Sequence, residues 1–158
     1  MRHETDLSRR ARVGAPFPLR KRPMLYAILC YNSEDVVFSW SAEQDAKVMA
    51  DLAKVQERWA ASGKLGPTAR LMPTSAATTL RKGEPPLVID GPYAETKEQL
   101  LGFYLVNCDD LEEVLTFCKE LGAVNPGGAY EVRPLHFFNN GSLPADAVAA
   151  RVPESAPA

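Results

Sequence analysis

Apolar and polar residues alternate along this chain in patterns that predict both strands and helices. Residues 24–31 form a continuous apolar run with aromatic side chains, which indicates a strand that is buried on both faces. Two later segments repeat apolar residues at helical spacing, so each presents one apolar stripe to a sheet. The first stripe is Val48, Leu52, Val55 and Trp59, and the second is Leu111, Val114, Leu115, Cys118 and Leu121. Further strands are predicted over residues 65–72, 78–81, 86–90, 102–107 and 129–136.

Capping residues predict where the two helices begin and end. Ser41 and Gln44 have the spacing of a capping box, in which each side chain accepts from the backbone N–H of the other residue. Asp109 or Asp110 can cap the second helix, because its side-chain carboxylate can accept from the first backbone N–H groups of the helix. Gly122 is predicted to end that helix, because glycine readily adopts the backbone conformation found just past a helix.

The order of these elements predicts an α+β fold. Strand, helix, strands, helix, strand is the split βαβ pattern of a ferredoxin-like domain, and the hairpin that turns at residues 82–85 is an insertion into it. Helices would cover one face of such a sheet, yet the strands at 24–31 and 102–107 are apolar on both sides. We therefore expect a second copy of the chain to cover the other face and form a homodimer.

The net charge of −2 hides a basic N-terminal segment. Residues 1–22 contain seven Lys and Arg against two acidic residues, a charge of +5, and the rest of the chain carries −7. Such a segment could bind nucleic acid, but it lacks apolar periodicity and is broken by glycine and proline, so nucleic acid is not an expected partner. We interpret residues 1–22 as a flexible basic arm or a misassigned start, residues 23–137 as the folded domain, and residues 138–158 as an Ala/Pro-rich tail.

Neither membrane insertion nor secretion is expected. No apolar run reaches the roughly 18 residues of a membrane span, and no segment combines a basic start, an apolar run and a cleavage site. Cys30, Cys108 and Cys118 are odd in number and lack the paired spacing of a metal site. We interpret them as core thiols in a reducing cytoplasm.

Two motifs are much more specific than the general pattern. The first runs Asp90-Gly91-Pro92-Tyr93-Ala94-Glu95-Thr96-Lys97-Glu98-Gln99-Leu100 and on through Gly102-Phe103-Tyr104, and the second is Tyr130-Glu131-Val132-Arg133-Pro134. Together they resemble the DGPF branch of the YCII-related proteins over roughly residues 24–136, with Tyr93 in place of the usual Phe and Leu101 where Gly is common. The resemblance implies a ferredoxin-like domain that dimerises into an α/β-barrel-type assembly, with a cleft of unsettled function.

The second motif contains a candidate ligand-binding pair. Glu131 and Arg133 lie two residues apart on a predicted strand, so their side chains project from the same face. Arg133 could bind a carboxylate or phosphate through its planar guanidinium, with Glu131 orienting it. The same pair could instead be a structural ion pair that holds the strand or a partner chain.

The first motif contains the candidate catalytic residues. Asp90, Glu95, Lys97 and Glu98 place four charges within nine residues, and paired carboxylates can retain a proton near neutral pH, so Asp90 or Glu98 could act as a general acid or base. Lys97 would oppose this by favouring the ionised carboxylates. Asp90 could also simply cap its own turn.

No metal or cofactor is expected. His136 has no nearby Cys or His with which to bind zinc, and the sequence contains no Gly-rich phosphate loop or nucleophile elbow. The shorter YCII-like proteins are suspected of using a His–Asp pair, but here no histidine follows the first strand.

Three functions stay open. The first is a dimer whose cleft binds a small anionic or polar molecule, with Arg133 as the anion contact and Asp90 and Glu98 as polar contacts. Lys97 is a further candidate ligand-binding residue. The second is a cofactor-free isomerase or lyase, with Tyr31 or Tyr104 stabilising an oxyanion. The third, implied by relatives associated with sigma-factor systems, is a regulatory protein-interaction module.

Overall fold

The computed structural model describes residues 23–143, which form an α+β fold. The basic arm at residues 1–22, and the tail from residue 144 onward, lie outside the described residues. The elements are, in chain order, β1 (Met24–Asn32), α1 (Glu34–Val37), α2 (Ala42–Ala61), β2 (Leu65–Arg70), a 3-10 turn (Thr74–Ala76), β3 (Thr78–Arg81), β4 (Leu87–Asp90), β5 (Gln99–Cys108), α3 (Leu111–Val124) and β6 (Ala129–Pro134).

The strands form two antiparallel sheets. The larger sheet has the order β2-β5-β1-β6, and β3 and β4 form a separate hairpin. The last strand therefore lies at an edge beside the first, as predicted, and β2 is the other edge. Within one chain the larger sheet does not close into a barrel.

Side-chain caps begin both long helices. Ser41 Oγ accepts from Gln44 N at 3.1 Å and Gln44 Oε1 accepts from Ser41 N at 2.9 Å, which confirms the predicted capping box. Asp110 Oδ1 accepts from Glu113 N at 3.1 Å at the start of α3. Gly63, just past the end of α2, has a φ of +72°, which glycine adopts without strain.

One hydrophobic core joins α2 and α3 to a single face of the larger sheet. Its members include Ile28 and Val106 from the sheet and Leu52 from α2. Phe117 on α3 is fully buried at its centre, with ring centroids 4.6 Å from Trp59 and 5.6 Å from Tyr104. The stripe that was predicted for α2 does pack against this core, with Trp59 as a partly buried member.

Two predictions about the second helix are wrong. Leu111 and Leu115, both predicted for its apolar stripe, are 50% and 41% exposed, because the buried face of α3 consists of Val114, Phe117, Cys118 and Leu121. The helix also continues past Gly122 to Val124, whose side chain packs against the core. Gly122 has no positive φ, so it is accommodated as an ordinary helical residue, and Asn125 takes the C-cap position.

The other face of the larger sheet is less well covered. Leu25, Ala27 and Leu29 alternate with the core residues of β1 and are only partly buried, and Phe103 pairs with Leu29 across the strands. We call the surface formed by Leu25, Ala27, Leu29, Phe103 and Leu105 the open face.

No helix of residues 23–143 is long and apolar enough to cross a membrane.

Candidate functional site

A cleft of about 100 Å³ lies between the larger sheet and the helices, on the core side of the sheet. A cavity needs about 10–15 Å³ of free volume to hold one water molecule. The cleft is several times larger than that, so it is large enough for a small organic ligand. Its floor comes from β1, β5 and β2, and the loop between α3 and β6 closes one end.

Apolar side chains form the wall of the cleft opposite the sheet. Val37 and Phe38 at the end of α1 and Trp40 before α2 line it, and α2 adds Val48, Met49 and Leu52. Such walls, with a few placed polar groups, are typical of small-molecule sites.

Hydrogen bonds to two other parts of the chain hold α1 in place beside the cleft. The Glu34 carboxylate accepts from Thr74 N and from Thr74 Oγ1, both at 2.6 Å. Glu34 N in turn donates to Gln99 Oε1 at 3.0 Å. Gln99 belongs to the first sequence motif, so that motif supports the cleft wall indirectly, by anchoring the helix that carries Val37.

Three titratable groups in the cleft stay protonated at neutral pH. Burial raises the pKa of Tyr104 to about 12 and that of the Cys30 thiol to about 12. Burial also raises the pKa of Tyr130, outweighing a side-chain hydrogen bond from Asn125 that lowers it. The two phenols are therefore neutral hydrogen-bonding groups.

Asn125 contributes the most unusual polar atom of the cleft. Its backbone N donates to Leu121 O at 3.0 Å and ends α3, and its side chain lines the cleft. The side-chain Oδ1 is buried and has no hydrogen-bond donor among the residues that the structure describes. Leaving a buried acceptor unsatisfied costs about 1–3 kcal/mol.

An ion pair lies among the residues that line the cleft. Arg70 Nη2 is 2.9 Å from Asp45 Oδ1 and Arg70 Nη1 is 3.3 Å from Asp45 Oδ2, so the guanidinium binds the carboxylate through two parallel hydrogen bonds. Both side chains are partly exposed. The charge of Arg70 is therefore already balanced within the chain.

The predicted ligand-binding residues lie in different places. Tyr31 and Tyr104 both line the cleft. Glu131 and Arg133 do not line it: Tyr130 and Val132 pack against the core, so the alternate residues of β6 project from the opposite side of the sheet. Arg133 Nε is 2.5 Å from Glu131 Oε1, and the Arg133 side chain is 67% exposed.

The predicted catalytic residues also lie outside the cleft lining. Asp90 ends β4 and pairs with Thr78 in the hairpin, and Glu98 immediately precedes β5; both are exposed. Within residues 23–143, the recorded ion pairs include neither Asp90, Lys97 nor Glu98. Among the ion pairs of the described residues, none joins the charges of the first motif into one site.

Other lining residues were not singled out from the sequence. Asp45, Arg70 and Asn125 are ordinary surface or turn residues by pattern, and Asn125 before Pro126 signals only a helix end. The sequence pattern does not specify the side-chain directions that bring these residues together.

No group of three or more His, Cys, Asp or Glu among the described residues could hold a metal ion.

The fold and the cleft define the class of protein: an α+β domain with an open antiparallel sheet and a small-molecule-sized cleft under its helices. The chain belongs to the YCII-related domain family, whose sequence model matches residues 24–139. It is also 57% identical over 125 residues to an uncharacterised protein of Rhizobium meliloti (strain 1021), a match that covers 77% of this chain and all of that protein.

Proposed function

We propose that this protein binds a small polar ligand in the cleft between its sheet and helices. The observation that supports this most directly is the cleft itself: apolar walls from α1 and α2 enclose the side chains of Tyr104, Tyr130 and Asn125. Apolar walls contribute affinity, and a few fixed polar groups contribute orientation.

We further propose that the working unit is a homodimer of ferredoxin-like domains, formed by residues 23–137. The strand order β2-β5-β1-β6, with both long helices on one face, supports this arrangement. The open face supports the dimer, because an apolar sheet surface gains stability when a second sheet covers it. Glu131 and Arg133 would then lie at the edge of the subunit contact. The motifs of the DGPF branch fit this assembly.

A reducing, cytoplasmic location is part of the same proposal. Cys30, Cys108 and Cys118 are all free thiols, and disulfides are rare in proteins of reducing compartments.

A thermal-shift screen of the full chain against small carboxylates, phosphates, phenols and amides tests ligand binding. A ligand at a hundred times its Kd should add about 2.7 kcal/mol to the free energy of unfolding. Phe38→Ala removes a ring from the cleft wall and should abolish the response, whereas Phe137→Ala removes an exposed ring elsewhere and should not. Equal responses in the two variants would place the site outside the cleft.

Two arginine variants identify the anion contact in the same screen. Arg133 is the contact that the sequence predicts, and Arg70 is the arginine that lines the cleft. If carboxylates or phosphates stabilise the protein, loss of that effect in Arg133→Ala but not in Arg70→Ala would support a site at the subunit contact. The reverse result would assign the anion contact to the cleft.

A protein-interaction role is the second candidate, and the hairpin of β3 and β4 favours it. Leu80, Leu87 and Val88 are more than half exposed there, and a two-stranded hairpin is marginally stable without further packing.

Catalysis by Asp90 or Glu98 stays a prediction. It requires that either carboxylate reach a bound ligand, and a pH–rate profile that loses its acid limb in Asp90→Asn or Glu98→Gln would support it.

A further inference from the structure

The floor of the cleft contains one row of residues that crosses the larger sheet from edge to edge. Directly paired residues of antiparallel strands lie on the same face of a sheet. The pairs that connect β2, β5, β1 and β6 in this row are Arg70 with Gly102, Gly102 with Cys30, and Cys30 with Tyr130, and all of them line the cleft. Tyr130 packs against the core on the helix side, so Arg70 at the other end of the row faces that side too.

Gly102 leaves an open space within this row. Because glycine has no side chain and neighbouring strands lie about 4.8 Å apart, the backbones at Arg70 and Cys30 are roughly 10 Å apart with no side chain between them. Apolar side chains around the cleft are accessible: Phe38, Met49 and Leu71 line it and are exposed. A flat apolar group over Gly102 would cover such surface, and aromatic rings bury large areas in this way.

The Arg70 guanidinium is held in place but has donors to spare. Asp45 accepts from Nη1 and Nη2, and among residues 23–143 these are the hydrogen bonds that the guanidinium makes. A guanidinium has five N–H groups, so about three of them, including that of Nε, are left for a ligand. The Arg70 side chain is 41% exposed, so a ligand can reach it.

A carboxylate is complementary to these remaining donors. Its two oxygens can accept from Nε and from one Nη in two parallel hydrogen bonds, and bidentate pairs of this kind are stronger than bonds between neutral groups. The charge of Asp45 opposes a second anion, but Asp45 lies in the first turn of α2, where the positive end of the helix dipole offsets part of that charge.

Other charged head groups fit less well. A phosphate would bring up to two negative charges, and Arg70 is the one Lys or Arg among the described residues that line the cleft. A cation would have to bind Asp45, both of whose oxygens already accept from Arg70, and it would lie beside the positive charge of that guanidinium. A singly charged carboxylate avoids both costs.

We propose that Arg70 is the anion contact of the cleft, and that the ligand is a small monocarboxylate with a flat apolar body. The carboxylate binds Nε and one Nη of Arg70 beside Asp45, and the body lies over Gly102 against Phe38. This inference rests on the proposed function, because it names the class of ligand that the same cleft takes. It assigns the anion to the cleft and not to Arg133, which projects from the opposite side of the sheet.

Two probes of the same shape test the charge requirement. Phenylacetate and phenylacetamide share the ring and a planar head group, but the amide carries no charge. Binding is measured on the full chain by titration of ¹H–¹⁵N NMR spectra, in which the Nε–H signal of Arg70 is identified by its loss in Arg70→Lys. We expect phenylacetate to bind at least about fivefold more tightly than phenylacetamide and to shift that Nε–H signal.

Matched arginine variants assign the charge effect. Arg70→Met removes the guanidinium, so the two probes should then bind equally; because partly exposed ion pairs contribute little to stability, this variant should fold. Arg58→Met makes the same change outside the cleft, where Arg58 pairs with Glu120 at 3.0 Å, and should keep the preference. If Arg70→Met does not fold, the ratio of the two dissociation constants and the Nε–H shift in the unmodified chain still decide the question.

The outcomes separate the inference from the function beneath it. Equal binding of the two probes, with shifts of the backbone amides at Phe38 and Gly102, would overturn anion recognition and leave a ligand-binding cleft. A preference that persists in Arg70→Met would overturn the assignment to Arg70. Tighter binding of the cation phenethylamine than of phenylacetate would assign the charge contact to Asp45 instead. No shift at any cleft residue with any probe, together with no response in the thermal screen, would overturn both the inference and the proposed function.

Discussion

The two faces of the larger sheet differ in how completely one chain covers them. On the helix side, Ile28, Val106 and Phe117 are fully buried by contacts within the chain. On the open face, Leu29 and Phe103 belong to the same two strands and are equally apolar, but they stay partly exposed. The two sets alternate along β1 and β5, so neighbouring residues lie in different environments.

The helix side and the open face therefore contribute to different properties: the first to the stability of the single chain, and the second to its association with another molecule. The helix side stabilises the fold by itself, because its apolar area is removed from water without a partner. The open face can gain further stability only from another molecule, and apolar patches that stay accessible commonly mark such contacts. Substitutions on one face at a time therefore distinguish effects on unfolding from effects on association.

The largest effect is expected on the helix side, from Phe117→Ala. Phe117 is fully buried and packs against both Trp59 and Tyr104. Truncation should lower the free energy of unfolding by about 3–5 kcal/mol, measured by chemical denaturation, because the apolar contacts are lost and a cavity remains. A loss below about 1 kcal/mol would show that Phe117 does not anchor the core.

On the open face, Phe103→Asp should disrupt association while leaving the fold intact. A two-fold contact would bury the new carboxylate twice, once per subunit, without a counter-charge. We expect sedimentation at micromolar concentration to change from a dimer to a folded monomer. Leu111→Asp, at an exposed position on α3, is the matched control and should not change the mass. A monomeric wild-type chain would contradict the proposed dimer directly.

A smaller and pH-dependent effect is expected at the border of the helix side. The hydrogen bond from Lys64 holds the pKa of Glu113 below its ordinary value, and the backbone N–H of Asp109 adds to the shift. Since the folded-state pKa is depressed, the stabilisation is present above the unfolded pKa of about 4.3 and is lost as the pH falls through the folded value. Glu113→Gln should therefore destabilise the protein at pH 7, by no more than about 1 kcal/mol, and much less at pH 3.

The control for this prediction is Glu112→Gln, at an exposed position on the same turn. It should show no comparable change between the two pH values. A Glu113→Gln difference that is the same at pH 3 and pH 7 would mean that the ion pair with Lys64 does not contribute.

The smallest effect is expected from Leu115→Ala, which tests which face of α3 packs against the core. Its side chain is 41% exposed and points away from the core, so its truncation should change the free energy of unfolding by less than about 1 kcal/mol. A loss comparable with that of Phe117→Ala would mean that α3 is rotated about its axis relative to the structure.

Most of the fold could be predicted because it depends on local chemistry. The capping box of Ser41 and Gln44 involves residues three apart, and Asp110 likewise caps α3 from three residues away. The strand periodicities and the family motifs are also properties of short segments. The sequence predicts Leu111 and Leu115 on the buried face of α3 in place of Phe117, because all three are apolar and pattern alone does not rank them. It also predicts a helix end at Gly122, because glycine is common just past a helix although it can equally lie within one.

The sequence by itself determined the α+β class, the element order and the family, since these follow from periodicity, caps and motifs within continuous stretches. Only the tertiary structure decided which residues meet in the cleft. Arg70 and Asp45 are 25 positions apart and Glu34 and Thr74 are 40 apart, and Asn125 lines the cleft only because α3 ends beside β1. Side-chain convergence over such distances is set by how whole elements pack, which no local pattern contains.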